Sequence, residues 1–197
     1  MTAPSCFSAA RCGFSLLEVT IALSLSGILL SGLWQLMAVA GQQREAAGLS
    51  GQSMIVAAAA KDFISDSNMA ASLMALPALA GIGSTVQVRV TDADAGLGTV
   101  PSLQAGGFLP AGFVNLNSYG QSYTLFIRRE DGGTLGVADA GDRLIGLLLT
   151  TGGSPISDAM GAKIVGNMGG AGGFIYSASA TLAQGAAGAW VTDFAGA

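Results

Sequence analysis

Near the N-terminus the chain reads Gly13-Phe14-Ser15-Leu16-Leu17-Glu18-Val19-Thr20-Ile21-Ala22-Leu23 and continues as SLSGILLSGLWQLMAVA to Ala40. From Phe14 this is a run of 27 residues whose one charge is Glu18. A helix needs about 20 mostly apolar residues to cross the hydrocarbon core of a bilayer, so the run is long enough to span. A cleaved secretory signal is the first alternative, but its apolar region is usually about 7–15 residues and follows positive charge. The present run is longer and carries a carboxylate near its start. A charge inside hydrocarbon costs about 2.5–3.5 kcal/mol on insertion scales, so Glu18 either snorkels to the headgroup level or has a partner.

The rest of the inventory narrows the function by exclusion. At 197 residues there is room for one domain plus an anchor. Charged residues make up 10%, against a typical ~25%, so the apolar excess is not confined to the first helix. The net charge is −4 and no Lys/Arg cluster occurs, which argues against nucleic-acid binding, where basic side chains neutralise phosphates. Histidine is absent, which removes His-based general bases, Ser-His-Asp triads and most zinc sites. Cys6 and Cys12 both precede the apolar run and cannot staple a domain behind it. No acid, base and nucleophile converge, so neither an enzyme nor a cofactor is expected.

The string around Glu18 resembles the prepilin peptidase site of type IV pilins and type II secretion pseudopilins. Gly13 matches the residue before the cut, Phe14 the first mature residue and Glu18 the fifth. The resemblance implies cleavage by prepilin peptidase after Gly13 and N-methylation of Phe14. It also implies pairing of Glu18 with the terminal amine of a neighbouring subunit. Such a pair offsets part of the desolvation of both charges and sets an axial register between helices. The leader, residues 1–13, carries Arg11 alone, whereas leaders of this family are typically basic.

Beyond the apolar run no proline occurs up to residue 76, and Gln42-Gln43-Arg44-Glu45 marks the exit from hydrocarbon. Met54, Ile55, Ala58, Phe63 and Ile64 recur at helical spacing. Residues 14–40 therefore read as the membrane or filament-core half of one long helix, and 41–76 as its second half. Gly41, Gly48 and Gly51 predict a bend or local melting between the two. Ser24, Gly27 and Ser31 put small residues on one face, which permits close helix approach or simply reflects membrane-helix composition.

Residues 77–197 read as the head. Alternation predicts strands over 84–91 and 122–129, and a near-continuous apolar run predicts a third, central strand over 143–151. Short helices are expected over 100–107 and 155–167, with further strands over 173–177 and 189–192. One long helix followed by several strands is an α+β arrangement, with a mostly antiparallel sheet laid on the helix. This is the type IV pilin fold implied by the resemblance. Gly169-Gly170-Ala171-Gly172-Gly173 lacks the spacing and lysine of a phosphate loop and reads as a tight turn. Asp92/Asp94 and Asp139/Asp142 are too few per loop for a six-to-eight-ligand calcium ion, and no metal is expected. Ser118, Tyr119 and Tyr123 are expected to pack or cap.

Four further segments occur in a fixed order: Phe108-Leu109-Pro110-Ala111-Gly112-Phe113, Tyr119-Gly120-Gln121-Ser122-Tyr123, Thr150-Thr151-Gly152-Gly153, and Gly169 to Ile175. Together they resemble the constant N-terminal region of shufflon-type minor pilins, the tip subunits of type IVB conjugative pili. That likeness implies a minor pilin inserted in the inner membrane with a periplasmic head, then assembled into an extracellular filament for conjugation or adhesion. The implied partners are prepilin peptidase, other pilins through the first helix, inner-membrane lipid and a recipient-cell surface. Those tip proteins continue into a variable C-terminal segment, whereas this sequence ends at Ala197, so recipient specificity is not carried over. A type II secretion pseudopilin and a membrane-anchored binding module that never assembles are the alternatives.

Overall fold

Helix α1, Leu16–Ser65, is the longest element of the computed structural model, which describes residues 16–139 and 141–193. The chain divides into two compact units, Met1–Gln43 and Arg44–Ala197, and α1 contributes to both. In the first unit the described residues are all helical. Its large apolar side chains, from Leu16 to Val39, are exposed at positions that step around every face of the helix.

Helical hydrogen bonding continues through Gly41, Gly48 and Gly51, so the local melting expected there does not occur. Each glycine weakens a helix by about 1 kcal/mol relative to Ala. Here Ala46, Leu49, Ser50 and Val56 are buried around Gly48 and Gly51, and that burial outweighs the glycine penalty there. The helix ends at Ser65 instead of running to residue 76. Asp66 leaves helical geometry (φ −67°, ψ 126°) and its carboxylate accepts from the amides of Asn68 and Met69. It thereby caps a separate helix α2, Ser67–Met74.

In the second unit, β1 (Thr85–Val88), β2 (Ser122–Glu130) and β3 (Arg143–Thr151) form an antiparallel sheet in that spatial order. Val56, Ala59, Ala60 and Phe63 of α1 recur every three to four residues and are buried against Tyr123, Leu125 and Ile127 of β2, which alternate. Val86 and Val88 of β1 and Leu73 of α2 join the same core. Phe63 meets Phe108 edge-to-face, with ring centroids 5.3 Å apart.

The sequence places β3 in the centre of the sheet, but β2 is central and β3 lies at an edge. Its apolar run serves two faces. Leu144 and Leu148 pack on the core, whereas Ile145 on the opposite face is exposed. The helix expected over 100–107 is also absent. That stretch is a series of turns, closed by Gly106 N donating to Ser102 O and Ala105 N to Ser102 Oγ. Helix α3, Asp158–Met168, starts three residues later than expected, behind the capping hydroxyl of Ser157. A second antiparallel sheet follows: β4 (Gly173–Ile175), β5 (Leu182–Gly185) and β6 (Val191–Asp193). A smaller core joins Ala46 and Leu49 of α1 to Met160 and Ile164 of α3.

Candidate assembly site on the N-terminal helix

Glu18 lies in the first turn of α1, where unpaired amides and the helix dipole favour an anion. It is the one charged residue between Leu16 and Gln43. Four hydroxyls share this segment, and each donates to a carbonyl of its own helix. Thr20 Oγ1 reaches Leu17 O at 2.8 Å, and Ser24 Oγ reaches Thr20 O at 2.7 Å. Ser26 and Ser31 bond to Ala22 O and Ile28 O in the same way. These donors therefore need no water, and the segment keeps its low cost in hydrocarbon. Nothing stands within 4 Å of where a Cβ would sit on Gly27. Gly27 and the self-satisfied Ser24 and Ser31 leave a shallow strip against which another helix can close. By length and composition the helix can cross a membrane, with a mean hydropathy of 1.9 in its most apolar window. Gly13 and Phe14, the expected processing residues, lie outside the described residues.

The other residues singled out in the sequence have structural partners. Asp94 Oδ2 accepts from Thr91 N, Thr91 Oγ1 and Asn115 Nδ2, closing the loop after β1. Asp92 forms a 3.5 Å ion pair with Arg89. Asp142 is buried and ion-paired to Arg129, 2.7 Å from Nε. Asp139 accepts from the amides of Thr134 and Gly141, which hold its carboxyl below the usual range. The carboxylates of Asp94, Asp139 and Asp142 thus tie down backbone, and that of Asp92 holds the Arg89 side chain. Among the described residues no group of three or more potential metal ligands occurs. Gly169 (φ +68°) ends α3 and leads into β4, as a turn should.

Tyr123 is buried, with its hydroxyl 3.3 Å from Ser53 Oγ on α1, and burial raises its pKa. Tyr119 is also shifted upward, by burial first and then by the neighbouring Glu45 carboxylate. Its segment meets the one ending at Gly153. Ser154 N donates to Tyr119 O, Gln121 Nε2 donates to Ser154 O, and Gly153 sits at φ +59° against the Tyr119–Gln121 backbone. A side chain at Gly153 would collide with that backbone, so two of the four ordered segments form one corner. Sequence reasoning missed Arg129, whose guanidinium also donates to Leu79 O and Asp139 O. It also missed Asn115, which bonds in both directions to the Tyr123 backbone. A charged residue at an inward-facing position of an alternating strand was the available signal for Arg129.

A family model described as the prokaryotic N-terminal methylation motif matches residues 8–34. The match covers Gly13, Phe14 and Glu18 and most of the exposed apolar half of α1. The chain carries a type IV prepilin-like signal. Neither a curated protein nor a solved structure gives a significant match. The signal implies processing by prepilin peptidase and assembly with other pilin-type subunits, a structural role rather than an enzymatic one. A long N-terminal helix followed by antiparallel strands is consistent with a type IV pilin fold. The signal and the apolar helix together fit an anchor in the inner membrane.

Proposed function

We propose that this chain is a minor pilin of a type IV filament, cleaved between Gly13 and Phe14, methylated at Phe14, and assembled through the apolar half of α1. The observation that carries the proposal is the prepilin-like signal at residues 8–34 leading into a helix whose apolar side chains cover every face. Such a helix is stable in two settings, a bilayer and a bundle of like helices. In both settings Glu18 is the one charge between Leu16 and Gln43. The terminal ammonium of Phe14 in a neighbouring subunit is the complementary group, and their pairing sets the stagger between subunits. The second unit then faces the periplasm before assembly and the exterior of the filament afterwards.

Placement as a minor or tip subunit of a type IVB conjugative pilus rests on the four ordered segments. Two of them forming one corner supports treating their spacing as a structural signature. Contact with a recipient-cell surface follows from that placement. The test is Glu18→Leu in the cognate host. Membrane insertion should be unchanged, whereas the subunit should be missing from sheared filaments. Normal incorporation of the Leu variant would remove the pairing role.

A further inference from the structure

A groove of about 940 Å³ runs along the second unit, between β3 and β4. Seven consecutive β3 residues, Leu144 to Thr150, line it. Side chains of a strand alternate between faces, so a surface touching every residue in succession is the strand's edge. The three residues of β4, Gly173 to Ile175, line the opposite side in the same consecutive way. β3 is paired through its other edge to β2, and β4 through its other edge to β5. Among the described residues no hydrogen bond reaches the groove-facing edge of either segment. Ala57, Ala58 and Ile64 of α1 contribute to the lining, and Lys61 is its one charged residue.

These features select the occupant. Seven strand residues extend over roughly 20 Å, too long for a compact ligand. A hydrocarbon chain would match the length but leave both rows of amides and carbonyls unpaired, at a cost for each buried group. A strand satisfies both edges at once. β3 itself has none of the features that protect a free edge: its middle carries no charge and no proline. The β3 edge of a second copy is walled by that copy's own β4 and cannot enter as part of its sheet. The occupant is therefore a separate extended segment.

We propose that the groove between β3 and β4 is a strand-acceptor site for an extended segment of a partner polypeptide, apolar at alternate positions and bearing one carboxylate for Lys61. Its insertion would join the two three-stranded sheets into one. Occupancy is independent of leader cleavage and of filament assembly, so failure here leaves the pilin proposal standing, and the reverse also holds.

The test uses the full chain in phospholipid nanodiscs and a fluorescein-labelled peptide of alternating Val and Thr with one Asp. Binding should saturate and should slow amide exchange in β3 and β4 together, leaving β1 and β6 unchanged. Ala58→Trp, at an exposed helix position lining the groove, should abolish binding without unfolding the protein. Lys61→Glu should weaken it about five- to ten-fold, with recovery when the peptide carries Lys in place of Asp. Absence of saturable binding, protection of only one strand, or indifference to both variants overturns the proposal. Oleate protecting both strands in place of the peptide overturns it in favour of an acyl chain. Concentration-dependent protection without peptide overturns it in favour of a second copy.

Discussion

Arg129 shows how much of the head depends on single polar residues. Its guanidinium is buried and spends its donors on the Asp142 carboxylate and the carbonyls of Leu79 and Asp139. A buried pair that loses one partner leaves an uncompensated charge, which costs about 3–5 kcal/mol. Arg129→Met should therefore lower the unfolding free energy of the head by that amount, read from denaturant unfolding followed through Trp190 fluorescence. A change below about 1 kcal/mol would show that water reaches Asp142. Asp139 and Asp158 are sensitive in a different way. Backbone and hydroxyl donors of Thr134, Gly141 and Ser177 hold both below the ordinary carboxylate range. A depressed folded-state value means the contribution is complete above the unfolded value of about 3.9 and is lost as pH falls through the folded one. The stability gap between the wild type and Asp139→Asn should accordingly be larger near neutral pH than near pH 3. A gap that grows on acidification would reverse the assignment.

At the level of elements, the period of a strand was readable, whereas the face of the helix and the residues that punctuate were not. The alternation through β2 was visible because burial imposes a period on the sequence, but along α1 the recurring Met54, Ile55 and Ala58 are exposed and the buried stripe is Val56, Ala59, Ala60 and Phe63. At the break between α1 and α2 the Asp66 side chain competes for the amides a continuous helix would use. Asp66→Ala should cost about 1 kcal/mol of stability. The edge position of β3 was hidden for a general reason: apolarity reports which faces of a strand are covered, not whether its edges are paired. β5, Leu182–Gly185, contains no β-branched or aromatic residue and gave no strand signal. Packing of β3 on α1 has its own test. A Cβ on Gly146 would stand 2.6 Å from Ile64 Cδ1, so Gly146→Val should destabilise the head by about 1–3 kcal/mol through overpacking. Ile64→Ala in the same background should recover part of that loss.

For the whole molecule, the division into an apolar helical unit and a mixed head corresponds to two environments. The described residues of the first unit have exposed apolar side chains on every face, one charge and self-satisfied hydroxyls, and they need lipid or like helices around them. The second has its own core and its own polar clasps. The candidate assembly residues were legible in the sequence because a lone carboxylate in a long apolar run is costly and therefore informative. The groove between the two sheets was not legible, because it depends on which strand edges remain open after folding. Processing at Gly13/Phe14 is the central claim, and it is tested most directly by N-terminal sequencing and intact mass of the protein from cells with and without prepilin peptidase. With the peptidase the chain should begin at N-methylated Phe14, and without it the leader should remain attached. Cleavage at any other bond, or identical N-termini in the two strains, would contradict the account.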